Sequence, residues 1–560
     1  MQRRDWLNLG LVLLFAIVVR AAIIARPFHR NPEAMGSYNA ILGRNYLSNY
    51  QWTRDWGIPV QSFPSPTGDP GDPGDPPTYY ANHPPLVPLL VALSYSIFDE
   101  GEWQTRLPTA ICTLGCIVVI YTMLRKRAGL RAATLAALLF AATPMAIFFG
   151  GMADVINSQV VLFSLLAVAA YLRFSETTDA RRLLLLIGAF ALAALSDWPA
   201  FFLVPVLCLH FVFTHRPRQW GWIFAFGFAT VVIFVAIFLH ITMVTGNWTL
   251  IQERLLRRSV SSHTDSQQAF DWMIWLKKAV WGYNVKRHTI PLMLLATAWV
   301  VIDGWRVRKV HDSAATLVRL LLAWAFVHVM IGRQGVLNHD WWWWILTPGL
   351  CVAAALMLDR SWQLFEGSAP AASVSPLAAS QISSADDTAK PQAARLGTAR
   401  LVDAAFVLLV GAWCVWTTWT TVGFFYDDRN IRGGMQYTIV EIGRAIESAA
   451  PEGGLVILTE NDDEPSMWYY GRRPIKMNVW DPRTLDARMR DGFAELPFDY
   501  TQPWHAAATG LVFPKQYEPN AATFLDHLKG TYRLRHTTPE IDDKFYIFDL
   551  GTHIHSETPK

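Results

Sequence analysis

The chain has 560 residues, 52% of them hydrophobic, with 25 tryptophans and a formal net charge of +3. So apolar a composition excludes an ordinary soluble domain. Its 48 Lys and Arg are scattered against 45 Asp and Glu, which leaves no basic footprint for nucleic acid.

A hydrocarbon core about 30 Å thick requires about 20 mainly apolar residues per spanning helix. Eleven stretches near that size are expected to span, over residues 6–24, 106–124, 131–149, 155–172, 183–195, 200–213, 220–241, 290–302, 314–331, 341–358 and 401–424. Residues 1–24 have the basic start and apolar run of a signal peptide, but Arg20 interrupts the run and more spans follow, which indicates an uncleaved anchor. Lys and Arg are retained inside in short loops. Arg3 and Arg4, then Arg125, Lys126 and Arg127, Arg181 and Arg182, Arg216 and Arg218, and Arg306, Arg308 and Lys309 all fall on one side by parity. This threading puts the N-terminus in the cytoplasm of a multi-pass inner (cell) membrane protein. The outer face receives residues 25–105, 150–154, 247–288, 332–340 and everything after Phe424.

The long first outer loop, residues 25–105, is crowded with polar and aromatic groups: His29, Arg30, Glu33, Tyr38, Arg44, Arg54, Asp55, Tyr79, Tyr80, Asn82 and His83. Its Gly-Asp-Pro repeat over residues 68–77 is too short for a collagen-like helix and is expected to be a solvated loop. Residues 86–98 are apolar, yet counting them as a span would invert every later basic loop, so a helix lying in the interface is expected. Ser196, Asp197, Trp198 and Pro199 mark a tight outer hairpin, whose polar groups need water or a protein partner. Arg20, Arg319 and Asp403, near span ends, can snorkel to the interface. The cysteines Cys112, Cys116, Cys208, Cys351 and Cys414 all lie in apolar runs with no Cys-x-x-Cys pair, which argues against disulfides and zinc cages.

Residues 1–360 form the membrane module. Residues 361–400, rich in Ala, Ser and Pro, are expected to be a disordered cytoplasmic tether before the last span at 401–424. Residues 425–560 change character: a helical pattern over 437–450 and β-like runs at 454–459, 467–470, 510–513 and 544–550 predict a small α/β domain outside the membrane. The expected fold class is therefore an α-helical polytopic membrane protein with about 11 transmembrane helices, a long first outer loop and a small C-terminal α/β extracytoplasmic domain.

Acids, bases and aromatics held against a membrane suit a substrate whose headgroup is fixed at the interface by a lipid tail. If that substrate is a glycosyl phosphate, its leaving group needs no general acid, unlike the two-carboxylate arrangement of glycoside hydrolysis. One carboxylate can take the proton of the attacking hydroxyl, in-line attack inverts the anomeric centre, and fixed cations stabilise the departing phosphate. Arg44, Arg54, His83 and Arg106 are the first cations to consider, with Arg257, Arg258, Lys286 and Arg287 of the later outer loop behind them. A secondary transporter of a small solute or lipid is the alternative, but it would place ionisable groups near the midplane within repeated halves, and neither is visible here.

Four segments in order, HRNPEAMGSYNAILGRNYL, YYANHPPLVPLLVALSYSIFDEGEWQTRLPTAICTLG, GGMADVINSQVVLFSLLAVAAYLRF and NHDWWWWILTPGLCVAAAL, resemble the family 39 type bacterial membrane glycosyltransferases. These are relatives of the dolichyl-phosphate-mannose protein mannosyltransferases and the lipid A aminoarabinose transferases, and share the C-type glycosyltransferase fold. The likeness covers about residues 1–360. It implies a polyprenyl-phosphate-linked sugar donor, an acceptor hydroxyl on a protein, lipid or glycan at the outer face of the bilayer, and a carboxylate base in the first outer loop. Glu33 corresponds to that carboxylate, although the family commonly has an Asp-Glu pair where this chain reads Asn31-Pro32-Glu33; Asp55 is the reserve. His83 matches the family's Lys/His-Pro-Pro segment near the lipid phosphate, Asp154 its second outer acid, and His339 with Asp340 a late loop closing the cavity, which Tyr38, Tyr80 and Asn82 would also line. Two acids on different loops permit a divalent cation, but nothing in the sequence requires one. Against these roles stand plainer ones: a solvated Glu33, a His83 that ends a turn, an Asp154 that caps the following helix, and Trp341–Trp344 as an interfacial belt.

Overall fold

The computed structural model describes residues 2–28, 34–48, 83–152, 158–259, 271–306, 313–365, 389–451, 454–460, 465–473, 475–476, 479–491 and 508–553. Its membrane part is a helical bundle. Helix α1 (Arg3–Ile24) is followed in the first loop by α2 (Ala34–Ser48) and α3 (Leu86–Phe98), and then by α4 (Glu102–Ala128), α5 (Leu130–Ala142), α6 (Pro144–Phe148), α7 (Ser158–Thr177) and α8 (Ala180–Ser196). After a 3-10 turn at Trp198–Phe202 come α9 (Leu203–Thr214), α10 (Trp220–Thr245) and α11 (Leu250–Ser259).

A bent pair follows, α12 (Trp272–His288) and α13 (Ile290–Arg306), meeting at 110°. Thr289 at the bend has φ of 68°, a left-handed conformation that non-glycine residues adopt only where the surroundings impose it. The bundle ends with α14 (Ser313–Ile331), α15 (Arg333–Asn338), a 3-10 segment Asp340–Leu346, α16 (Thr347–Phe365) and α17 (Ala389–Phe424).

Among the described residues, seven helices are long and apolar enough to cross a membrane, or eight if the bent pair is one span. Eleven were expected, and the stretches at 131–149, 183–195 and 200–213 form helices shorter than this. Residues 131–149 break where Thr143 turns extended and Pro144 starts a new helix, since proline cannot continue the helix before it. Residues 183–213 divide at Asp197, which is extended and ends α8. Leu86–Phe98, Leu130–Ala142 and Trp198–Thr214 remain as shorter apolar helices. The outward faces of the long helices carry Leu11, Leu14, Phe224, Phe228, Leu408 and Trp419, all well exposed. That apolar surface suits lipid, whereas a soluble monomer would not show it.

Two further expectations are corrected. Residues 389–400, placed in the unstructured tether, are helical and continuous with the last span; their Ala, Arg and Leu content favours helix, while residues 366–388 lie outside the described residues. Arg20, expected to snorkel, is turned into the bundle. It is buried and donates to the carbonyls of Ala16 (3.1 Å) and Ala146 (3.0 Å), so it ties α1 to the short α6. Arg319 is paired with Asp303 at 2.8 Å.

The C-terminal domain is a five-stranded sheet of order β2-β1-β3-β5-β4, with β1 (Leu455–Leu458), β2 (Ile475–Lys476), β3 (Ala508–Pro514), β4 (Tyr532–Arg535) and β5 (Phe545–His553). Strand β1 is parallel to both β2 and β3, and β5 is antiparallel to β3 and β4. Helix α18 (Ile439–Ala449) opens on a capping box between Thr438 and Glu441 and buries Ile439, Ile442, Ala445, Ile446 and Ala449, the helical spacing of a core-facing stripe. Residues 467–470, expected to be β-like, are helical within α19 (Pro465–Gly471). This helix packs so closely on α18 that a Cβ at Gly443 would stand 2.3 Å from Cβ of Tyr470.

The domain docks onto the first loop. Phe28, Ala40, Ile41, Val91 and Tyr95 share one apolar core with Ile446, Met467, Trp468 and Tyr469. Ser37 and Ser466 hydroxyls meet at 3.0 Å. Helices α2 and α3 of the loop are therefore packed against the C-terminal domain, and together they cover one end of the bundle.

Candidate functional site

The covered end begins where α1 stops. The last carbonyls of a helix have no partner within it, and Arg106 from α4 supplies one: Nη1 donates to the Ile24 carbonyl at 2.7 Å and also to that of Arg26, Nη2 donates to that of Pro27 at 3.3 Å, and the guanidinium lies 4.8 Å from the Phe28 ring centre. The side chain is fully buried. Arg106, expected at the donor phosphate, thus fixes how the chain leaves α1. Next to it, the Phe28 N–H donates to the Tyr470 hydroxyl (2.9 Å), which donates in turn to Glu102 (2.7 Å). Burial, reinforced by the Glu102 carboxylate, pushes the Tyr470 phenol far up, so it stays a donor.

Arg44, also expected at the phosphate, has other partners. Its Nε lies 3.0 Å and its Nη2 2.5 Å from Glu100, and Nη2 also donates to the Tyr469 carbonyl at 3.0 Å. It clasps α2 to the C-terminal domain. Tyr38 is half-buried on the same helix. Glu33, Arg54, Asp55, Tyr80, Asn82 and Asp154 lie outside the described residues. The chain on either side of the segment that holds Asp154 is anchored on α4: Thr113 Oγ1 donates to the Gly150 carbonyl (2.8 Å) and shares a hydrogen bond with the Ser158 hydroxyl (2.6 Å).

His83 is brought to a residue that the sequence reading placed only in a hairpin. Its Nδ1 is 2.9 Å from Oδ1 of Asp197, which is 1% exposed and also accepts from the Trp198 N–H at 2.7 Å. The hairpin is held from behind by Trp324, whose Nε1 donates to the Pro199 carbonyl at 2.9 Å.

A second cation–carboxylate pair lies across the same end. Arg287, at the close of α12, meets Asp340 at 2.6 Å and stacks over Phe148 (3.9 Å) and Phe149 (5.1 Å). Both side chains are largely buried, at 6% and 13% exposure. His288 beside it bridges Asn284 (2.8 Å) and Thr347 (2.9 Å), which fixes the helix end that presents Arg287. His339 stacks on Trp341 at 4.3 Å, and Trp342 stacks on His328, which also touches Phe202. A continuous line of rings thus joins the Asp340 segment to the hairpin of Asp197. The four tryptophans do not form an interfacial belt: Trp343 and Trp344 are buried, and Trp344 stacks on Phe140 at 5.3 Å.

Of the expected site residues that are described, the structure joins Asp340 to Arg287, His83 to Asp197, Arg44 to Glu100 and the Tyr469 carbonyl, and Arg106 to the carbonyls that follow α1. Asp197 was within reach of sequence reasoning, as a lone acid between two apolar runs. Among the described residues, no group of three or more His, Cys, Asp or Glu could hold a metal ion. The two pairs place Arg287 and the His83 imidazole at the end of the bundle where the first loop sits, in surroundings where charge interactions are stronger than in water. Such an arrangement suits binding of an anionic headgroup.

Comparison with known proteins gives these pairs a context. The family model described as dolichyl-phosphate-mannose-protein mannosyltransferase matches residues 82–244. The Bacillus subtilis (strain 168) protein YycA, named as a mannosyltransferase, is 29% identical over 137 residues, 24% of this chain and 19% of that one; the match thus spans only a small part of the relative. Among solved structures, ArnT from Cupriavidus metallidurans bound to undecaprenyl phosphate aligns over 98% of both chains with a TM-score of 0.61 at 17% identity. The Archaeoglobus fulgidus oligosaccharyltransferase aligns over 99% of this chain and 74% of its own with a TM-score of 0.55 at 11% identity. The chain therefore has the C-type glycosyltransferase fold, and the resemblance read from its four segments is borne out.

Proposed function

We propose that the chain is a glycosyltransferase that moves a sugar from a polyprenyl-phosphate donor to an acceptor hydroxyl at the outer face of the inner membrane. The N-terminus is then cytoplasmic and the C-terminal domain extracytoplasmic, as the basic loops require. The observation that carries the reading is the fold shared along 98% of the chain with a protein solved with undecaprenyl phosphate bound. The end of the bundle that holds the first loop also carries the Arg287 guanidinium and the His83 imidazole, groups suited to a phosphate.

In this reading Glu33, between the chain fixed by Arg106 and the start of α2, takes the proton of the acceptor hydroxyl as its oxygen attacks the anomeric carbon. The C–O bond to phosphate breaks as the new one forms, and the centre inverts. Negative charge grows on the departing phosphate, where Arg287 and His83 stabilise it. Asp340 keeps the Arg287 guanidinium in place over Phe148, and Asp55 is the reserve for the base.

The test is Glu33→Gln, which keeps size and removes basicity. Transfer from a polyprenyl-phosphate sugar that the wild type uses is expected to fall by about 10² to 10⁴ in kcat, the usual contribution of a general base, with KM for the donor little changed. Full turnover by this variant would remove Glu33 from the role, and the same measurement on Asp55→Asn would then decide for the reserve.

A further inference from the structure

We propose that Asp197 is the positioning residue of the donor-phosphate site, which it serves by fixing the imidazole of His83. The inference rests on the reading above, in which His83 meets the phosphate of the lipid-linked donor.

Three features of the site carry it. Asp197 is 1% exposed, and one of its oxygens already takes two donors, His83 Nδ1 at 2.9 Å and the Trp198 N–H at 2.7 Å. Its other oxygen, Oδ2, is buried and has no hydrogen-bond partner among the described residues. A buried carboxylate oxygen left unpaired opposes folding, and such a group in a native structure calls for an explanation. Stability does not provide one, because an asparagine here would cap the Trp198 N–H equally well without a buried charge.

The second feature is the backbone of His83. Pro84 and Pro85 follow it directly, and Pro85 precedes the first turn of α3. Proline fixes its own φ and restricts the residue before it, so His83 enters the site on a stiff segment, and most of its remaining freedom is in its side chain. Asp197 removes that freedom by holding Nδ1.

The third is chemical. In the imidazolium form both ring nitrogens are donors. With Nδ1 directed to Asp197, an anion that meets this ring meets it at Nε2, and the carboxylate and the phosphate are served by opposite edges of one ring. Trp324 holds the hairpin through the Pro199 carbonyl, so the carboxylate cannot follow the imidazole if the ring turns away. The pair joins residues 114 apart in the chain, from the first loop and from the α8 hairpin.

The experiment measures equilibrium binding of radiolabelled undecaprenyl phosphate to the full-length protein in nanodiscs, together with Tm. Asp197→Asn keeps the side-chain shape and the cap on Trp198. It is expected to weaken binding roughly 10- to 100-fold, as for loss of a charged hydrogen bond, with Tm unchanged or raised. In a His83→Gln background the same substitution should cost less than about 2-fold, because its effect passes through the ring. An equal loss in both backgrounds, a fall in Tm that accompanies the loss, or unchanged binding in Asp197→Asn would each overturn the proposal. If the wild type itself fails to bind undecaprenyl phosphate, the functional reading falls and this inference falls with it. If the wild type binds and Asp197→Asn binds as well, only the role of Asp197 is lost.

Discussion

Arg287→Met is expected to lower kcat/KM for the lipid-linked donor by about 10² to 10³, the usual cost of removing one preorganised group that stabilises developing charge. The guanidinium is placed for this work by three constraints: the ion pair to Asp340 at 2.6 Å, the Phe148 ring 3.9 Å away, and the end of α12 anchored through His288 to Thr347. The substitution leaves Asp340 largely buried without its partner, and breaking a buried pair from one side is destabilising by about 3–5 kcal/mol. Kinetics on Arg287→Met alone would therefore mix two effects. Arg287→Lys separates them, because it keeps a positive charge beside Asp340 but loses the planar fork that addresses a carboxylate and a phosphate together. Steady-state kinetics and Tm on both variants should show Arg287→Lys near wild-type stability yet clearly impaired in transfer. Should Arg287→Lys transfer as fast as wild type, Arg287 would be reduced to a structural partner of Asp340.

The second large effect is on stability. Arg106→Met is expected to destabilise the protein by about 3 kcal/mol or more, since hydrogen bonds to a charged donor are worth about 1.5–3 kcal/mol each and three carbonyls at the end of α1 lose theirs. Arg106→Lys should lie between, because an ammonium is a compact donor that cannot span the same set. Thermal unfolding in detergent measures the loss. Hydrogen exchange should locate it at residues 24–28 and at the contact of Phe28 with Tyr470. An Arg106→Met protein of wild-type stability that no longer binds undecaprenyl phosphate would return Arg106 to the phosphate site.

What could be read from the sequence depended on the range of the interaction. Hydropathy and basic loops are local, and they identified a polytopic helical protein. The apolar runs of β1, β3 and β5 stood out as well. The run at 467–470 misled because Met-Trp-Tyr-Tyr has the aromatic content of a strand, whereas Pro465 and packing against Gly443 make it a helix. Arg106 shows the limit in another way. In sequence it is a cation at the start of a span, and only the fold shows that the carbonyls ending α1, about 80 residues earlier, need it as a donor. Trp341–Trp344 read as a belt because a tryptophan's place, in a core or at an interface, is set by neighbours such as Phe140 and His328. Asp197 and His83 were both visible, but nothing local joins residues 114 apart. Asp340 was singled out in the sequence, yet its partner Arg287 ranked behind Arg44 and Arg106, whose contacts with the first loop and the C-terminal domain join residues far apart in the chain.

The central claim is that a lipid-borne sugar phosphate is the donor. Its most direct test is to incubate the purified full-length protein, in nanodiscs with a cell-envelope extract as acceptor, with a panel of undecaprenyl-phosphate sugars labelled in the sugar. The account predicts that for at least one of them label moves from the lipid to the acceptor fraction, with stoichiometric release of undecaprenyl phosphate. A folded protein that leaves the label on every lipid of the panel, under conditions where a known transferase of this fold moves it, would contradict the account.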